Sequence, residues 1–323
     1  MSKLKQLQIV QAGLETTRGT AVAPTVILAG MDSFSITPEI EAEPNKVLGS
    51  FSPRGAAVLQ ASATASGESR ATYEDLPRYF DSLFSKATPS GSDPYTYAYA
   101  APETAQPISS AFTLVHGDSD DAYGIVGAVL SKLGISIASG EYIKLSHDWI
   151  GSIADVDSIA VLTDTVANFI LPQQVVASIG SYGGALTALN CDVISAELEI
   201  NLDKRNRFGL GTLGACDYNV GEPKGTLKLV AEFSNTTVKA VKESLLGSTP
   251  AIAYREIRLL ATDSTRTAQF DFIGMMASVG EFFTDDDGVV TAELEFMHNF
   301  DSTANASSWC DVEIVNGVAA LWS

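Results

Sequence analysis

The chain is poor in the side chains from which active sites and metal centres are usually built. It has three histidines and three cysteines in 323 residues. His116, His147 and His298 stand too far apart for a short ligand pattern such as H-E-x-x-H, and they read as structural. Cys191, Cys216 and Cys310 are odd in number with no Cys-x-x-Cys, so they read as buried free thiols rather than a disulfide framework or zinc site. No G-x-S-x-G elbow occurs. Positive charge is scarce as well, with 20 Lys and Arg against 39 Asp and Glu, a formal net charge of −19. That balance repels nucleic-acid phosphates and anionic membranes unless the fold gathers a basic patch. The densest basic cluster, Lys204, Arg205 and Arg207, falls in an expected loop. No apolar run follows the early lysines Lys3 and Lys5, and none approaches the ~18 residues of a membrane-spanning helix. The expectation is a chain that folds in cytoplasm, with no membrane partner. Without a secretory signal, the sequons at Asn235 and Asn305 carry no weight.

What the chain does have is 46% hydrophobic residues, length enough for two cores, and an internal repeat. Residues 32–41 (DSFSITPEIE) and 192–201 (DVISAELEIN) match at Asp, Ser, Glu and Ile. Each is followed by a strand, at 55–64 and at 225–233, and then by a short helix. In the first helix Leu76, Tyr79, Phe80, Leu83 and Phe84 share one face, with Thr72 or Asp75 as cap and Pro77 near the start. In the second, Val238, Val241, Leu245 and Leu246 do so, between the caps Asn235 or Thr236 and Gly247. Three strands close each half, at 111–115, 123–131 and 140–149, and at 255–261, 269–277 and 289–298. Gly127 and Gly274 read as corresponding points, as do the strand ends at His147 and His298.

The fold class is therefore mainly β, with two tandem modules, each of packed antiparallel sheets with one flanking α-helix. The expected organisation is an N-terminal arm 1–30, a first module 31–152, an insert 153–189, a second module 190–300 and a C-terminal arm 301–323. Neither the arms nor the insert has an expected counterpart in the repeat, and the insert has the pattern of an added hairpin. Within the first module, 86–109 carries Pro89, Pro94, Pro102 and Pro107, and Tyr95, Tyr97 and Tyr99 alternate along it. It reads either as a self-packed surface loop or as a projecting arm whose tyrosines meet a neighbouring subunit.

Motifs that suggest ligands do not survive their context. Residues 209–214 (GLGTLG) fit G-x-G-x-x-G, but no helix begins inside them, as a dinucleotide site requires. The acidic clusters 118–121 and 285–288 lack calcium-loop spacing, and Asp287-Gly288 reads as a hairpin turn. Carboxylates are so abundant that pairing any two for acid–base work is arbitrary. No catalytic activity, cofactor or metal is expected.

Residues 13–24 (GLETTRGTAVAP) are similar to the G-x-E-x-x-x-G-T-A-x-x-P opening of major tail tube proteins of long-tailed, siphovirus-like bacteriophages. The segment 73–77 (YEDLP), a glycine-rich strand before it, the acidic charge and the closing alternating strands resemble that family too. The resemblance implies tube modules arranged six to a ring, and rings stacked into a virion tail tube through which DNA leaves. It implies assembly in the host cytoplasm, with self-association and the tape measure, tail terminator and distal tail proteins as partners. Genomic DNA would pass without specific binding. A duplicated chain needs three copies per ring; a hexamer with a decorating second domain is the alternative. A β-sandwich decoration or adhesion module is the competing function.

Alternation along 192–203 places Ser195, Glu197, Glu199 and Asn201 on one wet face. Glu39 and Glu41 occupy that face in the first repeat, and Glu293 and Glu295 in the last long strand. These six glutamates are candidates to line the channel, or else they face outside solvent.

Overall fold

The computed structural model describes residues 8–156, 158–163, 167–189, 192–233, 236–246, 254–279, 284–286, 288–298 and 308–322. The first half contains β1 (Ile9–Leu14), β2 (Val26–Ile27), β3 (Met31–Pro44), β4 (Ala56–Arg70), α1 (Leu76–Leu83), β5 (Ser90–Gly91), β6 (Tyr95–Ala100), β7 (Phe112–Gly117), β8 (Ala122–Ala138) and β9 (Lys144–Val156). The second contains β10 (Val175–Ser181), β11 (Thr187–Ala188), β12 (Val193–Asn201), β13 (Lys204–Arg207), β14 (Asp217–Val220), β15 (Lys224–Glu232), α2 (Thr236–Leu246), β16 (Tyr254–Asp263), β17 (Arg266–Val279), β18 (Thr284–Asp286), β19 (Val289–His298) and β20 (Cys310–Asn316). The protein is mainly β, with large antiparallel sheets and two α-helices among the described residues.

Both halves use one order of pairings. In the first, β3 pairs with β4, β4 with β9, β9 with β8, β8 with β7, and β7 with β1. In the second, β12 pairs with β15, β15 with β19, β19 with β17, β17 with β16, and β16 with β10. Even the bulges match, between Val126 and Val129 in β8 and between Met276 and Ser278 in β17. Residues 32–41 and 192–201 do hold equivalent places, since Ile40 faces Ala61 as Ile200 faces Gly225.

That register corrects several details. Gly225 occupies the place of Ala61 rather than of Gly55. Gly127 lies within the β8 bulge, whereas Gly274 precedes the β17 bulge and faces Arg255, the place that Ile125 takes opposite Leu114. His147 and His298 are likewise not equivalent: His147 sits inside the β4–β9 pairing, and His298 at the end of β19. The insert does have a counterpart. Its hairpin β10–β11 docks on β16 as the N-terminal hairpin β1–β2 docks on β7. Low identity hid this, because a short strand is recognised by its partner rather than by its own six or seven residues. The C-terminal segment is no free arm either: β20 lies between β17 and β6, tying the end of the chain to both halves.

α1 is too short to be stable alone and is buried along its whole length. Its polar residues act as anchors. Asp75 accepts from the Ala29 N–H at 2.9 Å and pairs with Arg78, whose Nε donates to the Leu321 carbonyl at 3.0 Å. Asp81 accepts from the Ala87 N–H at 3.0 Å, the Tyr99 hydroxyl at 3.0 Å and Trp322 Nε1 at 3.4 Å. At the other end, the buried Lys204 Nζ donates to the Ser82 and Leu83 carbonyls at 2.7 and 2.8 Å, so a side chain from the second half caps the helix C-terminus, while burial pushes its pKa well down. Of the expected caps of α2, Asn235 and Gly247 lie outside the described residues. Val238 and Val241 are buried as expected.

The histidines belong to the packing. His147 Nδ1 accepts from Trp149 Nε1 at 3.0 Å among Phe34, Tyr79 and Trp149, and burial pushes its pKa down to about 4. His298 Nδ1 accepts from the Gly225 N–H at 2.9 Å and packs on Trp309. The unfolded imidazole titrates near 6.5, so the neutral His147 contributes stability that is complete above that pH and is lost as pH falls towards 4. The loss amounts to about 3 kcal/mol from this one site. Urea unfolding at pH 7 and pH 4.5 should show a smaller decrease for His147→Gln than for the wild type, and an equal decrease would refute this origin.

Candidate functional site: one polar sheet face, a free strand edge and an apolar hairpin

Seven pairings in succession join β3, β4, β9, β8, β12, β15, β19 and β18 into one continuous sheet. The joint between halves is β8–β12, where Ser195 to Asn201 face Ala138 to Lys132. One face of this sheet is buried, through Ala63, Ala65, Trp149, Leu133, Ile135, Ala196, Leu198, Ile200, Leu227, Leu229, Leu294 and Phe296. The opposite face is polar.

All six glutamates singled out from the sequence lie on that polar face, because residues directly opposite in neighbouring strands point the same way. Glu39 faces Ser62 and Glu41 faces Gln60; Glu197 faces Lys228, which in turn faces Glu295; Glu199 faces Thr226, and Glu293 faces Val230. The sequence reading overlooked the lysines among them. Lys132 reaches Glu199 at 3.0 Å, and Lys144 and Lys224 lie on the same face. They were missed because alternation within one strand says nothing about which strand stands next to it.

The first and second halves differ at their outer edges. Among the described residues, β12 has partners on both sides, whereas its equivalent β3 pairs with β4 alone, and β18 pairs with β19 alone. A fourteen-residue strand with an open edge invites another strand. Pro38, Glu39 and Glu41 on that edge strand are the kind of residue that limits indiscriminate pairing.

The turn that joins β3 to β4 projects beyond the sheet. Leu48 and Phe51 are fully exposed, and Val47, Val58 and Leu59 about half exposed. The tip is closed by backbone bonds from Asn45 N to Gly55 O and from Arg54 N to Asn45 O, both 2.9 Å, with Gly49 and Gly55 at positive φ. The corresponding turn of the second half is folded back. Ala61 N donates to Leu213 O at 3.0 Å, Ala215 N to Ser152 Oγ at 3.0 Å and Asn206 Nδ2 to Gly151 O at 3.1 Å.

The tyrosine arm is corrected by the structure. Tyr97 and Tyr99 are buried and Tyr95 half buried, with the Tyr97 hydroxyl on Val318 O at 2.7 Å and that of Tyr99 on Pro77 O at 2.8 Å. β6 faces inward because β20 covers its edge, leaving no row of tyrosines to present to a neighbour.

Residues 13–24 form a brace. Buried Glu15 accepts from the Gly127 N–H and the Thr113 hydroxyl, both at 2.8 Å, and from the Gly19 N–H at 2.7 Å, while Arg18 Nε donates to Gly127 O at 3.1 Å. Glu15 and Arg18 thus grip both backbone groups of Gly127, whose φ of 63° accommodates the β8 bulge.

Residues 209–214 form a turn between β13 and β14, and Asp118 accepts from the Asp120 and Asp121 N–H groups at 2.9 Å within a local turn. Gly288, at φ 85°, lies in the turn between β18 and β19. Among the described residues no group of three or more His, Cys, Asp or Glu is placed to hold a metal ion. Cys310 is buried as expected, but Cys216 is exposed, its turn standing clear of the core; Cys191 lies outside the described residues.

A search of curated proteins finds no match to the chain. The model of the phage tail tube protein family matches residues 6–298, which include every strand of the polar sheet. On that match over nearly its whole length, the chain belongs to the phage tail tube protein family and is a structural component of the virion tail.

Proposed function

We propose that three copies of the chain close into a ring, that the rings stack into the tail tube, and that DNA passes along the polar face during ejection. The observation that carries this is the unequal edges of the two equivalent strands. β8 covers β12 inside the chain, and the same pairing continued from β18 of one chain to β3 of the next would close the sheet head to tail.

The dimensions favour three copies. Eight strands per chain make 24 in a trimer. At ~4.8 Å spacing and ~40° tilt, the barrel is about 48 Å across at the backbone, leaving roughly 35 Å between inner side chains. With grooves about 8 Å deep on either side of its axis, a B-form duplex needs roughly 20 Å. Two copies would leave about that width with no clearance. Both modules contribute to one sheet, which supports the trimer over a hexamer whose second domain only decorates.

The direction of the polar face follows from bulk. The apolar face already carries the second layer, including β1, β7, β10, β16 and the helices, and that layer fits only outside the ring. Glu39, Glu41, Glu197, Glu199, Glu293 and Glu295 then line the channel, joined by Glu68 and Asp148 and interrupted by Lys132, Lys144, Lys224 and Lys228. A predominantly negative wall repels phosphate, and two of its lysines, Lys132 and Lys144, pair with Glu199 and Glu141. The tube's interior and ends are the sites for the tape measure, tail terminator and distal tail proteins, with assembly in the host cytoplasm.

Replacing Glu197, Glu199, Glu293 and Glu295 together by lysine should leave tubes intact, since exposed ion pairs are worth at most about 1 kcal/mol each. DNA ejection from virions should slow and become salt-dependent. Unchanged ejection kinetics would show that these carboxylates do not meet the DNA.

A further inference from the structure

β20 fills a slot between β17 of the second half and β6 of the first. Its buried residues Cys310, Val312, Ile314 and Asn316 alternate with Asp311, Glu313 and Val315 on the opposite face. The strand runs beside Phe272 to Thr267 on one side and Ala100 to Tyr95 on the other. β19 takes the rest of the same β17 edge, from Gly274 to Val279, so β19 and β20 complete that edge together. An empty slot would leave the facing edges of β17 and β6 unpaired.

The residues on either side of β20 reach the strands that would build the ring. Before it, the Trp309 ring lies against Gly225 of β15, where an added Cβ would come within 2.2 Å of the ring. It also packs on His298 at the end of β19, with centroids 4.7 Å apart. After it, Asn316 Nδ2 donates to the Tyr73 carbonyl at 2.7 Å, and the Trp322 ring packs on Phe112 with centroids 4.4 Å apart. Together with the Leu321 and Trp322 contacts to Arg78 and Asp81, these hold α1 in place. α1 in turn is bonded to β8, whose Leu130 N–H donates to Ser82 Oγ at 2.9 Å. One segment therefore bears on β15 and β19 directly and on β8 through α1. β8 and β15 flank β12, and β19 carries β18, the edge that would meet the next chain.

Resting on the ring reading, we propose that β20 gates assembly: a chain adds to a ring only after this strand has seated between β17 and β6. Chain order makes the gate late. The strand that completes β6 lies beyond the whole second half, so the open edges of β3 and β18 both exist before the slot is filled. A chain able to polymerise at that stage would offer those edges to any strand it met. Tying competence to β20 postpones this until both halves are complete.

The test uses full-length chains with Cys191 and Cys216 changed to serine. Val315→Pro unseats β20, because proline breaks a strand that is bonded on both sides. Ala98→Cys with Glu313→Cys locks it, since these residues are directly opposed and within disulfide reach. Monomers of Val315→Pro should keep slow hydrogen exchange in β8, β12 and β15 and lose it in β6 and β20. Only the seated fraction assembles, so the concentration needed for assembly, read by sedimentation, should rise at least about tenfold. Adding the oxidised lock to Val315→Pro should restore the wild-type concentration, and reduction should reverse the rescue. Assembly at the wild-type concentration with β6 and β20 unprotected would overturn the proposal, as would an oxidised lock that brings no rescue. The lock without the proline gives a check independent of folding defects: oxidised, it should assemble as readily as wild type. A lock that blocks assembly would show that β20 has to leave its slot, the reverse of the proposal. Wild type that forms no ring at all would overturn the ring reading itself.

Discussion

In a chain carrying Thr37→Cys and Asp286→Cys, with Cys191 and Cys216 changed to serine, oxidation of the assembled protein should give a ladder of linked chains that ends at three. The positions follow from the junction inside the chain. Glu197 faces Ser136 where β12 meets β8, and by the matched pairings Thr37 and Asp286 hold those two places on β3 and β18. Directly opposed residues of an antiparallel pair have Cα atoms about 4.5–5.5 Å apart, within disulfide range. The remaining thiol, Cys310, is buried and its pKa is pushed well up, so it is unreactive under these conditions. A ladder running past three would reject the three-copy ring, and no linkage at all would reject the β18–β3 junction, as expected of a hexamer whose second domain only decorates. Because closure is all or none, this is the largest effect expected on assembly.

Arg78→Ala should cost about 3–5 kcal/mol of folding stability, the largest loss expected from a single side chain. Removing the guanidinium leaves the Asp75 carboxyl buried without its cation and the Leu321 carbonyl without its donor. It also removes the cation over the Trp322 ring, 5.7 Å from its centroid. Burial already pushes Asp75 up, opposed chiefly by Arg78, so without that residue the carboxyl will be driven further towards its neutral form. Urea unfolding of monomer at pH 7 measures the loss, and a change below about 1 kcal/mol would show that the pair is replaceable. Loss of the C-terminal anchor should also expose the segment 317–322 to proteolysis before global unfolding.

Much of this architecture was legible in local patterns. The match of 32–41 to 192–201 correctly identified β3 and β12 as equivalent, and helical spacing correctly located α1 and α2. Alternation put Glu197 and Glu199 on a wet face. These succeeded because period and side-chain polarity are properties of a single element. The insert failed because its kinship with the N-terminal hairpin lies in which strand each docks on, and pairing leaves almost no trace in six residues. For the tyrosines of 95–99 the sequence left a self-packed loop and a projecting arm both open, for the same reason. Alternation predicted one shared face for them, but the C-terminal strand, far away in sequence, determines that this face looks inward.

By itself the sequence determined a duplicated, acidic β protein with a family's opening motif, since composition and periodicity are local and additive. Only the tertiary structure decided that the two halves form one sheet and that, among the described residues, β12 is sealed while β3 is left open. It also decided that one hairpin projects while its twin is tied down. The physical reason is that a strand's edge is complete or incomplete only with respect to its neighbours, and hydrogen bonds between strands are made by backbone groups that every sequence carries alike.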